Sequence, residues 1–149
     1  MAREYRQGLF KPINYQKYAG DPTNIVYRSS WELKLFAWLD RSNACVSWSS
    51  EETVIPYISP VDGKPHRYFM DVKATFVNKA GEKKTYLIEV KPFAQTQPPR
   101  QTRNKRALME ATATYAVNQA KWAAAQEYCL DRGWTFKIVT EYELGIKSK

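Results

Sequence analysis

Two β-rich segments, His66 to Val77 and Thr85 to Lys91, flank Asn78-Lys79-Ala80-Gly81, and no other stretch of the chain restricts the fold as much. β-Branched and aromatic residues fill both segments, while Asn and Gly suit the conformations of a tight turn, so the pattern predicts a β-hairpin. Within it, Tyr68-Phe69-Met70 precedes Asp71 and Tyr86-Leu87-Ile88 precedes Glu89-Val90-Lys91. Side chains alternate across a strand, which groups Asp71 with Phe69 and Lys73, and Glu89 with Leu87 and Lys91. If pairing sets Asp71 beside the second group, two carboxylates can hold a divalent cation, with an ammonium next to the water or phosphate that the cation binds. The competing reading is an exposed hairpin with charges on one solvated face. Against it stand the apolar runs before each acid, which suit central strands, where an unpaired acid is costly.

Other chemistries are closed off by what the chain lacks. His66 is the single histidine, which excludes a multi-histidine zinc site and argues against a histidine-based triad or an HNH-type nuclease. Cys45 and Cys129 are far apart and outside any CxxC spacing, so they read as reduced, buried small residues. The 23 basic residues exceed the 15 acidic ones, giving a net charge of +8. A partner that is itself a polyanion, DNA or RNA, is favoured over an acidic protein. Apolar runs fall well short of the roughly 18 to 20 residues that cross a bilayer, and the first residues lead into no signal-peptide core, so a soluble, non-exported chain with no membrane partner is expected.

The 149 residues suit one domain, 1–149. An irregular N-terminal arm is expected over roughly its first 25 residues, where Arg3, Arg6, Lys11 and Lys17 mix with Tyr5, Phe10, Tyr15 and Tyr18. Such an arm either packs onto its own domain, the favoured reading, or tracks phosphates and stacks on bases. Ser29-Ser30-Trp31-Glu32 matches a capping box, and Trp31, Leu35, Trp38 and Leu39 form the stripe of a helix from about Ser30 to Asp40. In that motif Glu32 needs no role beyond the cap.

Two short strands are expected between Cys45 and Ser59. Pro92, Pro98 and Pro99 mark a loop after the hairpin, and Arg100, Arg103, Lys105 and Arg106 follow with no acid between them. That run is open between a solvated segment and one that closes over DNA. Ala107 to Arg132 reads as a helix whose face of Ala113, Ala116, Val117, Ala120, Ala124 and Tyr128 can lie close to a sheet; Gly133 ends it, and Trp134 to Thr140 is a last strand. A helix between a hairpin and a last strand predicts a crossover in an α/β fold, a mixed β-sheet flanked by helices.

Glu32 on the first helix, Met70-Asp71, Glu89-Val90-Lys91 and the later helix and strand, in that order, resemble the PD-(D/E)xK nuclease superfamily, within it the branch of the transposon endonuclease TnsA. Over nearly the whole length the likeness is more specific. Gln7-Gly8-Leu9-Phe10-Lys11-Pro12, Ile25 to Lys34, Ile55-Pro56-Tyr57-Ile58-Ser59-Pro60 and Pro65-His66-Arg67-Tyr68-Phe69 resemble the head completion nucleases of T4-like tailed phages. The resemblance implies a restriction-endonuclease-like core. It also implies that Glu32 joins the metal site as well as capping, that Asp71, Glu89 and the Val90 carbonyl are ligands, and that Lys91 orients the attacking water and offsets charge on the phosphate. Met70 stands where the superfamily pattern has proline, which shapes the strand without carrying chemistry. Gln119 and Lys121 fall where related nucleases often place polar groups near the site and DNA.

The function so implied is a Mg²⁺-dependent DNA endonuclease, with Mn²⁺ as a substitute, which hydrolyses phosphodiester bonds while the DNA-filled capsid matures before tail joining. Its expected partners are DNA, through phosphates, and head, portal or neck proteins; its expected places are the host cytoplasm during assembly and the head–neck region of the virion. The alternatives are a structural DNA-binding protein of head completion, a TnsA-like or repair endonuclease within a larger complex, and a generic basic binding module.

Overall fold

The Ser29 hydroxyl accepts the Glu32 N–H at 3.2 Å and starts the first helix where the sequence places it. A computed structural model describes residues 7–147, so Arg3, Tyr5 and Arg6 of the expected arm lie outside the described residues. The elements run β1 (Gly8–Phe10), β2 (Ile25–Tyr27), α1 (Ser30–Arg41), β3 (Cys45–Ser50), β4 (Val54–Ile58), β5 (Pro65–Phe69), β6 (Val72–Val77), β7 (Lys83–Val90), α2 (Lys105–Arg132) and β8 (Thr135–Val139). The main sheet has the order β3-β6-β7-β8, antiparallel except for the parallel β7–β8 pair that the α2 crossover makes possible. A mixed sheet flanked by helices is therefore the architecture. Short ribbons, β1–β2 and β4–β5, accompany it.

The hairpin turn forms as its residues predict. Asn78 Oδ1 accepts the Ala80 and Glu82 N–H groups, and Gly81 takes the left-handed conformation. The single strand expected from His66 to Val77 is instead two strands, because β5 pairs with β4 while β6 pairs with β3 and β7. Met70 and Asp71 form the joint between them. There the N–H of Glu51 is shared between the carbonyls of Met70, at 3.1 Å, and Asp71, at 3.3 Å, and Met70 N–H is bound by Thr53. Glu51 pays for this position with φ +57°, a conformation that costs a non-glycine residue about 1–2 kcal/mol. Alternation is reset at the joint, so the expected grouping of Phe69, Asp71 and Lys73 does not hold: Met70 and Val72, two residues apart, enter different cores.

Those cores occupy the two faces of the sheet. On one, Trp31, Leu35, Phe36 and Leu39 of α1 pack with Trp48, Val72, Ala74, Ile88 and Val90. Each such buried aliphatic or aromatic side chain contributes about 1.5–3 kcal/mol. On the other, Trp122, Ala125 and Cys129 of α2 pack with Leu87, Met70 and the ribbon residues Ile55, Tyr57 and Tyr68. The buried seam of α2 is Asn118, Trp122, Ala125 and Cys129, flanked by the partly buried Val117, Ala120, Ala124 and Tyr128 of the expected face. Alanine does not mark a contact face when it lies on several sides of a helix. On α1, Phe36 takes the buried place expected for Trp38, which stays half-exposed over Phe76, with ring centroids 5.8 Å apart. Cys45 and Cys129 are free and buried, one in each core.

The arm packs on its own domain and is less irregular than its sequence suggests, carrying β1, β2 and a 3-10 turn at Tyr15–Lys17. Phe10 and Tyr18 set their rings edge-on to Trp48. Asp40, almost fully buried near the end of α1, accepts the Ile13 N–H at 2.8 Å and the Asn14 N–H at 3.0 Å, and Lys17 donates to the Asp40 and Ser42 carbonyls. An amide in place of this carboxylate has one acceptor oxygen. Asp40→Asn should therefore destabilise the fold by about 1–3 kcal/mol in urea unfolding. Hydrogen exchange should quicken at Ile13 and Asn14 before it changes in α2.

Candidate active site

Glu89 lies at the end of β7, a central strand, on the α2 side of the sheet, and is buried. Such a carboxylate needs donors. Tyr68 Oη donates to its Oε2 at 2.6 Å, and Lys91 Nζ stands 3.4 Å from its Oε1. Lys91 is fixed in turn by its own N–H, which the Val139 carbonyl of β8 accepts at 3.0 Å. Asp71, at the joint before β6, accepts the Val90 N–H on Oδ2 at 2.8 Å. The N–H and C=O of one strand residue point the same way, so the Val90 carbonyl faces the Asp71 side. Glu32, buried in the first turn of α1, accepts the Arg28 N–H on Oε1 at 3.0 Å. The capping box is thus shifted by one residue, with the carboxylate holding the amide before Ser29.

The acids act on one another. Burial first, then the charges of Glu89 and Glu32, push the Asp71 carboxyl well above the usual carboxylate range, against the pull of the Val90 N–H and Lys91. Burial and the neighbouring Glu89 also raise the Tyr68 phenol, which therefore stays protonated and donates. Lys121 Nζ lies 5.5 Å from the centre of the Tyr68 ring. Of the two helix residues expected near the site, Lys121 thus stands close to the acids' partner, whereas Gln119 is exposed. Arg100, Arg103, Lys105 and Arg106 are all exposed, with Lys105 and Arg106 in the first turn of α2 and not in the loop, and Arg106 pairs with Glu110 at 3.3 Å.

Tyr68 and Trp122 are the residues that sequence reasoning missed. A tyrosine inside an apolar run must find a partner for its hydroxyl, and this was the available signal for Tyr68. Trp122 gave none; it is buried beside Tyr68, and its indole N–H acts on the Tyr68 hydroxyl against the upward push of burial and Glu89. A cleft of about 610 Å³ elsewhere, walled by Trp38, Phe76, Tyr86 and Leu144, includes none of Glu32, Asp71 and Glu89 in its lining.

Among the described residues no three His, Cys, Asp or Glu side chains are gathered so as to enclose a metal ion. Asp71 and Glu89 form a pair, with Glu32 close enough for its charge to be felt. That donor set suits magnesium, which is held by one or two carboxylates and keeps several waters. A cation there would also offset the repulsion that, together with burial, raises the Asp71 carboxyl.

Comparison with known proteins matches residues 42–141 to the family described as TnsA-like endonuclease N terminal. The head completion nuclease of Enterobacteria phage T4 is 42% identical over 139 residues, which cover 90% of this chain and 90% of that protein. The mixed sheet with helices on both faces is the restriction-endonuclease-like fold of that family.

Because its carboxyl is raised in the fold, Asp71 keeps a proton that the unfolded chain has already lost above the usual carboxylate range. Stability without divalent cations therefore falls as pH rises through that window. Asp71→Asn removes the titration, so its stability relative to the wild type should increase as pH rises above the usual carboxylate range. Urea unfolding in a chelator, from about pH 4 to about pH 8, should show the two proteins diverging as pH rises.

Proposed function

This chain belongs to the TnsA-like endonuclease family, and on that premise we propose that it is a magnesium-dependent DNA endonuclease of phage head completion. One observation carries the reading: Asp71, its proton affinity raised by burial and by the Glu89 charge, and Glu89, paired with an ammonium, meet at one end of a central strand. Asp71, Glu89 and the Val90 carbonyl would hold the ion, with Glu32 beside them. When bound, magnesium supplies Lewis acidity toward the scissile phosphate, and manganese can take its place.

The chain's own groups do the rest. Tyr68 holds one Glu89 oxygen and Lys91 faces the other, which the ion would share with the ammonium, while the Val90 N–H holds Oδ2 of Asp71 and Oδ1 would turn to the ion. Lys91, seated by Val139, orients the attacking water and offsets charge growing on the phosphate in the transition state. The surplus of basic residues suits phosphate-directed, salt-sensitive binding with little sequence preference. Likeness to the phage T4 head completion nuclease supports a task in the filled head before tail joining, beside portal or neck proteins. The host cytoplasm and the head–neck region of the virion are the corresponding places.

Linear, supercoiled and branched DNA incubated with and without Mg²⁺ tests the reading. Cleavage should require the ion and fall by at least about 100-fold in Asp71→Ala and Glu89→Ala. Retained Mg²⁺-dependent cleavage in both variants would sink the site. Lys91→Ala should bind DNA normally and fail to cut it. Tyr68→Phe keeps the packing and removes the donor, so kcat should drop about tenfold, with more Mg²⁺ needed for half-maximal rate and KM for DNA unchanged.

A further inference from the structure

Arg28 lies just before α1, tied to the acids without being one of the groups assigned above. Its Nε donates to Glu51 Oε1 at 3.1 Å and its Nη2 to Glu51 Oε2 at 3.2 Å. We propose that Arg28 is a phosphate-binding residue of the DNA cleft, held by Glu51 until a DNA phosphate takes that carboxylate's place. The inference rests on the endonuclease reading and adds to it a substrate contact and an internal competitor for that contact.

The pairing geometry is the first argument. A guanidinium fork that grips a carboxylate by two parallel hydrogen bonds grips a phosphodiester the same way. Location is the second, because the Arg28 N–H is bound by Glu32, and the charges of Glu51, Glu32 and Asp71 all stabilise the guanidinium. A phosphate on Arg28 therefore sits near the one that Asp71, Glu89 and Lys91 would act on. Exposure is the third. The two side chains are 52% and 36% exposed, so a phosphate can reach the pair, and an exposed ion pair resists exchange only weakly.

The fourth argument is the backbone of Glu51. Among the described residues it is the one non-glycine with positive φ. Glycine or asparagine would adopt that conformation with less strain, and the hydrogen bonds made by its main chain do not need a glutamate. The carboxylate is accounted for by what it holds. With Glu51 absent, the nearest anions left to Arg28 are Glu32 and Asp71, and a guanidinium drawn onto them would stand where the cation is needed. Glu51 thus keeps the arginine beside the site and out of it, which also explains a strained residue at this position.

Labelled duplex DNA titrated in a chelator over a range of salt, read by fluorescence anisotropy, tests the proposal without cleavage. Arg28→Ala should weaken binding about tenfold and lower the slope of log affinity against log salt by about 1. Arg28→Lys should keep the slope and lose only a few-fold in affinity, and it decides the matter if Arg28→Ala lowers the melting temperature. Glu51→Gln should tighten binding about threefold in the wild-type background and leave it unchanged in the Arg28→Ala background. Unchanged affinity and slope in a folded Arg28→Ala protein, while the wild type binds and cuts DNA, would overturn the inference alone. So would an equal effect of Glu51→Gln with and without Arg28. A wild type that neither binds nor cuts would overturn the endonuclease reading and this inference together.

Discussion

The pairing of Val72 with Ile88 is the constraint on which the site depends. One residue beyond it, the chain that leads into β6 comes level with Glu89 and Val90, and the Asp71 carboxylate closes onto the Val90 N–H. A slip of one residue would turn one of the two strands over, sending Val72 and Ala74 toward α2 or Leu87 toward α1. Two packed cores oppose that slip, because Val72 and Ala74 are committed to the α1 side and Leu87 to the α2 side. Apolar packing with no part in the chemistry therefore sets the distance between the two acids.

Crowded acids are unfavourable in a folded protein unless something answers them. Here each receives at least one donor from the chain: the Val90 N–H for Asp71, the Tyr68 hydroxyl and Lys91 ammonium for Glu89, and the Arg28 N–H for Glu32. These donors orient the carboxylates but leave Asp71 with a raised proton affinity. The site is thus stable enough to form and electrostatically incomplete, so a cation held there, as proposed, would add to its stability.

Much of this was legible in the residues. The turn at Asn78 to Gly81 was readable from its own side chains, and the start of α1 from a serine three residues before a glutamate, because both are local effects. The alternation that put Glu89 and Lys91 on one side survived, since β7 is continuous. It failed across Met70 and Asp71, where the apolar run Tyr68-Phe69-Met70 gives no sign of a joint; the break is imposed by Glu51, some twenty residues earlier in sequence. Trp38 and Phe36 could not be ranked by helical spacing alone, because the surrounding sheet decides which is covered. The partnership of Tyr68 with Glu89 depends on the β4–β5 ribbon packing against α2, a long-range arrangement that no short motif encodes.

The seat of Lys91 on Val139 has a consequence for how the site comes apart. Asp71 and Glu89 are brought together by a hairpin closed through a short turn, whereas β8 reaches β7 across about fifty residues of chain and is an edge strand of the sheet. The carboxylate half of the site is local, and the lysine half is long-range. Edge strands with long closing loops open at lower free energy than the hairpins they border. Fraying at β8 therefore unseats the lysine first, and heat or denaturant would part Lys91 from the site while its two acids are still side by side.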